Sequence, residues 1–315
     1  MRAGQSEDNH DRMSTAMEPE TSNASPAGPD SRPRIALPVS LGEALRARCT
    51  MPGARFIAGG TRLLPLQSEG EPIPAGYVSL RRVQELKGLT ISAEHVAIGA
   101  AITMAQLRRH PLIGELPLID QATRSLTSRQ IRERATVGGN LCSDTPYATL
   151  PPCLLALDAQ VTLTSLSGSR DLPLADFLGQ VPRLKDSGEI LASVSWKRSV
   201  GFQGYSRIGR RNAFCYAVLS ASVVFDQPRR TVRIALGGAG PTALRAHAAE
   251  ELVTEALDWA SGTAPAGLVE AAAAAVSQGC QPETDAVATA TYRRHAAGVM
   301  VRRLLENALA QGGAS

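Results

Sequence analysis

Two pairs of adjacent glycines, far apart along the chain, constrain this sequence more than any other feature. The first pair lies in Ala58-Gly59-Gly60-Thr61 and the second in Thr136-Val137-Gly138-Gly139-Asn140, and each pair follows an apolar stretch. Glycine lets the backbone approach a ligand closely and adopt positive φ. Successive N–H groups in such turns form anion-binding concavities. The similar flanking residues predict two loops that hold one diphosphate, so a dinucleotide cofactor is the first hypothesis.

Length, charge and cysteine content narrow the class of protein. The 315 residues suffice for about two or three domains. The 33 basic and 29 acidic residues give a net charge of +4 without a long Lys/Arg cluster, which argues against nucleic-acid binding. Five cysteines occur and none forms a C-x-x-C pair, which argues against a structural zinc site or an iron–sulfur cluster. Widely spaced cysteines in odd number indicate reduced thiols in a cytoplasmic protein.

The first 33 residues have the composition of a disordered leader. They are rich in Ser, Pro, Gly, Asp and Glu and contain almost no large apolar side chains. Since an apolar h-region is missing, they do not read as a secretory signal peptide. No run of about 18 apolar residues occurs anywhere, so we expect no membrane span.

Short strands and short helices alternate irregularly up to residue 198. Ser40 followed by Glu43 predicts a capped helix, and prolines ahead of an apolar run predict a helix from about Leu150. Alternation of polar and apolar residues predicts a strand over Gln160–Ser165. Other predicted strands cover residues 55–58, 77–80, parts of 89–102 and 189–196, with helices over 104–109 and 118–126. Because the pattern lacks regular βαβ spacing, it predicts an α+β fold rather than a doubly wound one.

A boundary is predicted near residues 198–204, and the chain beyond it has its own pattern. Strands are predicted over residues 204–208, 217–225 and 232–236, the last running into a glycine-rich turn. Helices are predicted over 244–257, 266–277 and 288–310, the middle one rich in alanine. Strands followed by helices indicate a separate, smaller α+β domain.

Longer motifs around the glycine pairs support a family resemblance. Ala58-Gly59-Gly60-Thr61-x-Leu63-Leu64-Pro65 and Ala135-Thr136-Val137-Gly138-Gly139-Asn140-Leu141 resemble the two FAD loops of the molybdenum hydroxylase flavin subunits. Residues 233–238 and 241–246, Tyr292-Arg293-Arg294-His295 and Val301-Arg302-Arg303 are similar to the C-terminal domain of that family. The resemblance covers about residues 35–310, with the motifs in the expected order. The family includes the medium subunit of carbon monoxide dehydrogenase and the FAD segment of xanthine dehydrogenase.

The resemblance implies a fold and its domain boundaries. It implies the FAD-binding fold of the vanillyl-alcohol oxidase (PCMH) type, built from two α+β subdomains, followed by a smaller α+β domain. We therefore expect a disordered leader over residues 1–33 and an FAD-binding domain over residues 34–198, divided at about residue 88. The C-terminal domain is expected over residues 199–312.

The resemblance also implies a role and partners. The chain is expected to be an oxidoreductase subunit that binds FAD and transfers electrons. The electrons are expected to start at a molybdenum cofactor in a large subunit, pass through iron–sulfur clusters of a small subunit to the flavin, and leave to an external acceptor. The expected assembly is a dimer of heterotrimers. Since a flavin can carry one electron or two, the protein need only bind, orient and tune it. No catalytic residue and no metal ligand is predicted in this chain.

The candidate cofactor-binding residues come from the same motifs. They are Ala58, Gly59, Gly60, Thr61, Arg62, Leu63, Thr136, Val137, Gly138, Gly139, Asn140, Thr149 and Arg207. Three of them depart from the family pattern: Arg62 and Thr149 stand where many relatives have Asp, and Arg207 where relatives often have Lys. Lys and Arg are not interchangeable donors. The segment of Arg207 is expected near the isoalloxazine ring.

Several alternatives stay open on these residues. Arg62 is either a phosphate or partner contact or a solvated charge, and Tyr147 either packs on the cofactor or on protein. The arginines at 293, 294, 302 and 303 predict a solvated or interface-facing helix edge. A stand-alone flavoprotein oxidase, in which Cys142 is the candidate for covalent flavin attachment, and a flavin-free scaffolding subunit are the alternative functions.

Overall fold

The computed structural model of the protein describes residues 33–126, 128–209 and 216–311, which form three sheets with their helices. The predicted leader lies outside the described residues, apart from Pro33. In the described part of the chain, no helix combines the length and apolarity needed to cross a membrane.

The first sheet is parallel, with strand order β1-β3-β2. Its elements are β1 (Arg34–Ala36), β2 (Ala54–Ile57), β3 (Gly76–Ser79), α1 (Leu41–Thr50) and α2 (Leu63–Ser68). Helix α1 begins as predicted, because the Ser40 hydroxyl accepts a hydrogen bond from the N–H of Glu43. The Glu43 carboxylate accepts from the N–H of Val39 at 2.9 Å, one residue earlier than in a capping box.

The second sheet is antiparallel, with strand order β4-β5-β8-β6-β7. Its strands are β4 (Leu89–Ile91), β5 (His95–Gly99), β6 (Gln160–Ser165), β7 (Gly168–Pro173) and β8 (Ile190–Lys197). Its helices are α3 (Met104–Arg109), α4 (Pro117–Ser125), α5 (Arg129–Arg134), α6 (Val137–Leu141), α7 (Leu150–Ala156) and α8 (Leu174–Ser187). Apolar side chains from the sheet and these helices form one core, which includes Ile98, Leu154 and Phe177.

The third sheet is antiparallel, with strand order β12-β11-β10-β9. Its elements are β9 (Gln203–Gly209), β10 (Ala217–Asp226), β11 (Thr231–Gly237), β12 (Leu244–Arg245), α9 (His247–Ala256), α10 (Leu268–Gly279) and α11 (Ala290–Ala310). Leu219 and Val223 of β10 pack with its helices, whereas Val224 belongs to the core of the second sheet. The sheet therefore lies between its own helices and the second sheet's layer.

Strand β9 is tied to α4 by one glutamine side chain. The N–H of Tyr205 donates to Oε1 of Gln121 at 2.9 Å, and Nε2 of Gln121 donates to the carbonyl of Gln203 at 3.3 Å. The edge strand of the third sheet is thus fixed against the region that carries the glycine motifs.

The predicted helix over residues 244–257 is wrong at its start. Leu244 and Arg245 pair with Leu236 and Ala235 as strand β12, and the helix begins only at His247. The sheet pairing outweighs helix propensity here, because tertiary contacts routinely override it. The predicted limits at residues 88, 198 and 312 remain a proposal; each predicted unit contains one sheet.

Candidate cofactor site

A cavity of about 650 Å³ joins the two glycine motifs. Every predicted residue of the first motif lines it, namely Ala58, Gly59, Gly60, Thr61, Arg62 and Leu63. From the second motif the lining includes Thr136, Gly138, Gly139 and Asn140. The cavity has the volume expected for a small-molecule or cofactor site.

The first motif is a turn between β2 and α2 with unpaired amides. Gly60 has a φ of 72°, which favours glycine, and its carbonyl accepts the N–H of Leu64 at 3.1 Å. Among the hydrogen bonds of the described residues, none uses the N–H groups of residues 59–62. Nε of Arg62 is also buried without a partner in that part of the chain. Successive unpaired N–H groups in a glycine turn form a concavity that suits an anionic acceptor.

The second motif differs from the first, and the prediction of two similar loops is wrong. Residues 137–141 form helix α6, capped by the Thr136 hydroxyl, which accepts the N–H of Gly139 at 3.0 Å. The N–H groups of Val137 and Gly138 donate to the carbonyls of Ile102 (2.9 Å) and Ala100 (2.8 Å). These amides are consumed by the protein, so they are not available to a diphosphate.

Of the two glycines in the second motif, one allows close packing of α6 and the other leaves the cavity open. A β-carbon on Gly138 would lie 2.6 Å from Cβ of Ala100, so the helix fits against the end of β5 only without a side chain there. Gly139 is exposed and lines the cavity. The Asn140 side chain accepts the N–H of Leu150 at 2.9 Å and so joins α6 to α7.

Sequence reasoning missed the apolar wall of the cavity. Helix α8 contributes Phe177, Val181 and Leu184, and β6 and β8 contribute Leu163 and Leu191. The spacing Leu174, Phe177, Val181, Leu184 is the apolar periodicity of an amphipathic helix. This periodicity predicts the helix, although Pro182 lies inside it, where proline is unfavourable.

Cys142 lines the cavity with a thiol that stays protonated. Its surface faces the cavity, yet the surrounding protein raises the pKa of the Cys142 thiol to about 12 by desolvation. A thiolate is the reactive form of cysteine. This residue is therefore poorly suited to covalent attachment of a flavin.

Three predicted site residues do not line the cavity. Val137 is buried in the core of the second sheet. Thr149 precedes α7, and its carbonyl accepts from Sγ of Cys153 at 3.5 Å. Arg207 lies on β9, opposite Ser220 of β10.

Arg207 lies on the face of β9 that packs toward the second sheet. It shares a strand face with Tyr205, whose ring packs against the core of the second sheet. Among the described residues, the β9–β10 pairing extends to Gly209 and Ala217, beside Tyr216, which lines the cavity. Arg207 therefore lies between the packed interface and the cavity end of this pairing.

Arg293 contradicts the predicted solvated helix edge. Its side chain is buried, at 1% exposure, and contacts Tyr147, whereas Arg294 and Arg303 are exposed and Arg302 is half-exposed. Tyr147 does not line the cavity; its ring lies 5.0 Å from the guanidinium carbon of Arg293. The alternative in which Tyr147 packs on protein is the one this geometry favours.

Comparison with known proteins identifies the family. Residues 31–196 match the family described as FAD binding domain in molybdopterin dehydrogenase. The chain belongs to this family. Residues 205–308 match the family described as CO dehydrogenase flavoprotein C-terminal domain. The predicted fold class and the FAD cofactor are thereby confirmed, and the chain is an FAD-binding medium subunit of the molybdenum hydroxylases.

Individual relatives support this assignment over most of their length. The 6-hydroxypseudooxynicotine dehydrogenase complex subunit alpha of Paenarthrobacter nicotinovorans is 33% identical over 81% of this chain and 87% of its own. The carbon monoxide dehydrogenase medium chain of Hydrogenophaga pseudoflava is 30% identical over 87% of this chain and 96% of its own. A solved structure of carbon monoxide dehydrogenase from Hydrogenophaga pseudoflava, lacking the Mo-pyranopterin moiety, superposes with a TM-score of 0.81 at 30% identity. The match covers 89% of this chain and 98% of that one.

Proposed function

We propose that this FAD-binding subunit holds one non-covalent FAD in the 650 Å³ cavity and passes electrons through it. The observation that carries the proposal is a single cavity that combines a glycine turn with unpaired amides and an extended apolar wall. FAD supplies the chemistry of accepting electrons singly or in pairs, while the protein binds, orients and tunes it.

The diphosphate is assigned to the first glycine motif. Within the described residues the N–H groups of 59–62 have no acceptor, and Gly60 in its left-handed conformation gives the turn the shape of an anion-binding nest. Arg62 also lines the cavity, and its guanidinium adds a charged donor there. Where many relatives carry Asp, this chain thus offers the phosphates a cation.

The ring systems of FAD are assigned to the apolar part of the cavity. Partly exposed apolar side chains, including Leu126, Ile131 and Leu184, provide this surface, and Gly139 leaves the cavity open beside α6. Exclusion of water by these side chains strengthens the electrostatic effect of nearby charges on the flavin. In this proposal the second motif shapes the site and the first motif binds the anion.

The partners are an iron–sulfur small subunit and a molybdenum-cofactor large subunit, assembled as a dimer of heterotrimers in the cytoplasm. Relatives are named as subunits of complexes, among them the nicotine 6-hydroxylase medium subunit of Paenarthrobacter nicotinovorans, 29% identical over 87% of this chain. In the proposed direction, electrons reach this chain from the iron–sulfur clusters and leave to an external acceptor.

Two measurements test this function. The full-length chain, tagged in its native host, should co-purify with one iron–sulfur and one molybdenum subunit, and its visible spectrum should show flavin. Isolated alone, it should bind FAD but reduce it slowly with organic substrates. Ordinary enzymatic turnover by the single chain would establish a stand-alone oxidase instead, and a folded chain that binds no FAD would establish a scaffolding subunit.

A further inference from the structure

We propose that Arg293 is a positioning residue for FAD: from helix α11 it holds Tyr147, and through Tyr147 it holds the Ser143–Thr145 segment of the cavity wall. The inference rests on the FAD site proposed above. Ser143, Asp144 and Thr145 line the cavity, whereas Arg293 and Tyr147 do not. Any effect of Arg293 on the cofactor must therefore pass through another residue.

Arg293, Tyr147 and Asp285 form a closed cluster of polar side chains. Nη1 of Arg293 donates to the Tyr147 hydroxyl at 2.8 Å, and that hydroxyl donates to Oδ2 of Asp285 at 2.6 Å. Nη2 of Arg293 donates to both Asp285 oxygens, at 2.8 and 2.7 Å. Charge-assisted hydrogen bonds of this kind are short and strong, so they orient both partners of Arg293.

The cluster is rigid on the C-terminal side. The N–H groups of Val287 and Ala288 donate to Oδ1 of Asp285 at 2.8 and 2.9 Å, so the carboxylate is fixed by its own turn. Arg293 is buried in α11 and also donates to the carbonyl of Val218 in β10 at 3.3 Å. A buried guanidinium with these partners has few alternative positions, so it sets the position of the Tyr147 ring.

The other side of the cluster leads directly to the cavity. The N–H of Tyr147 lies 3.4 Å from Oγ1 of Thr145, and the N–H of Thr145 donates to the carbonyl of Ser143 at 2.8 Å. The carbonyl of Pro146 accepts the N–H of Gly238 at 2.8 Å, a second attachment to the third sheet. The wall segment is therefore fixed from the third sheet and α11, although it belongs to the FAD-binding region of the sequence.

A second buried arginine offers a matched control. Arg233 bridges the same two regions, since its Nε donates to the carbonyl of Ala156 at 2.8 Å and its Nη2 to Ser199 and Asp226 at 2.7 and 3.2 Å. None of these residues lines the cavity. Loss of Arg233 should weaken the interface without altering the cofactor wall.

The experiment compares Tyr147→Phe, Arg293→Lys and Arg233→Lys in the full-length chain. FAD affinity is measured by quenching of flavin fluorescence, and stability by the melting temperature without added FAD. We expect Tyr147→Phe and Arg293→Lys to raise the Kd for FAD by about tenfold or more, as loss of outer partners does at metal sites. Arg233→Lys should lower the melting temperature and leave the Kd within about twofold of the parent.

The outcomes separate this inference from the proposed function. If the parent chain binds FAD and Tyr147→Phe binds it equally well, Arg293 has only a structural role and the inference is wrong. An equal loss of affinity in Arg233→Lys also overturns it, because the effect would then be general. If Arg293→Lys fails to fold, the Kd of Tyr147→Phe tests the inference, because this variant removes only one oxygen atom. A parent chain without FAD affinity would refute the proposed function instead.

Discussion

A β-carbon placed on Gly59 would lie 2.1 Å from the carbonyl oxygen of Arg134, the residue two positions before the second glycine motif. The same pair is joined from the other side, since Nε of Arg134 donates to the carbonyl of Gly59 at 3.3 Å. The two motifs are thus in direct backbone contact, and glycine at position 59 is required by this contact whether or not a cofactor is bound.

Gly59→Ala should therefore destabilise the protein itself. The clash is with backbone, so we expect the free energy of unfolding to fall by at least about 1–3 kcal/mol, the range for overpacking. Denaturant unfolding of the flavin-free chain measures this. Gly179→Ala is the control, because a β-carbon there meets nothing within 4 Å and a helical Ala is favoured by about 0.5–1 kcal/mol. A Gly59 variant as stable as the parent would contradict the packing role.

Arg62 reports on the cofactor more directly than the glycines do. Arg62→Ala should raise the Kd for FAD about tenfold, equivalent to about 1.4 kcal/mol, because a charge-assisted hydrogen bond to phosphate is lost. The difference should shrink in high salt. Arg109→Ala is the matched control, since that side chain is 61% exposed and paired with Glu133 outside the cavity. Equal FAD affinity of Arg62→Ala and the parent would show that Arg62 does not contact the phosphates and is a solvated charge.

Most of the fold could be predicted from local patterns. Capping at Ser40, the prolines directly after Leu150 and alternation over Gln160–Ser165 each predicted the element that is observed. These signals act over a few residues. Where long-range pairing decided the conformation, as at Leu244–Arg245, local helix propensity predicted the wrong element.

Ten of the thirteen predicted residues line the cavity, but the different roles of the two motifs could not be predicted. Both glycine motifs line the cavity, yet their amides differ, because those of Val137 and Gly138 bond to a distant loop at residues 100–102. The sequence holds no local sign of that pairing. Burial of Arg293 was likewise invisible, since its partner Tyr147 is far away along the chain.

Cys142 should react slowly with alkylating reagents despite its access to the cavity. Desolvation raises the pKa of the Cys142 thiol, so its thiolate fraction at pH 8 is lower than that of an unshifted thiol. The alkylation rate should climb as the pH is raised above 8. Mass spectrometry after timed alkylation measures it, with exposed Cys49 as internal reference and Cys142→Ser for assignment. Rapid labelling at pH 8, or flavin retained after denaturation, would contradict a protonated, unattached thiol.

Asp285 should contribute stability that depends on acid pH. The Tyr147 hydroxyl, two backbone N–H groups and Arg293 hold the pKa of the Asp285 carboxyl well below its usual 3.8. Because the pKa is lower in the folded state, the carboxylate stabilises the fold fully when the pH lies above the pKa of the unfolded chain. This contribution to the free energy of unfolding is lost as the pH falls below about 4. Asp285→Asn should therefore lose stability at pH 7 and show a smaller further loss under acid than the parent. If the free energies of unfolding of the parent and of Asp285→Asn fall by the same amount from pH 7 to pH 3, the carboxylate makes no such contribution.

Arg207 is expected to tune the flavin without binding it. Its strand face packs toward the second sheet, near the described end of the β9–β10 pairing beside Tyr216, and an arginine is always protonated. A fixed positive charge near the ring system favours the reduced, more negative state. Arg207→Ala should therefore shift the midpoint potential by about 30 mV to more negative values, a tenfold change for a two-electron couple. Reduction of the flavin by its electron donor should slow, while the Kd for FAD stays unchanged.

The matched variant for this position is Arg207→Lys, which keeps the charge and restores the residue that relatives often carry. Redox titration of parent, Ala and Lys variants, together with the kinetics of flavin reduction, distinguishes charge from packing. Recovery of the potential by Lys would assign the effect to the charge, whereas loss in both variants would assign it to the planar guanidinium. If the Ala variant keeps the parental potential and normal kinetics of flavin reduction, Arg207 acts away from the flavin and β9 has a purely structural role.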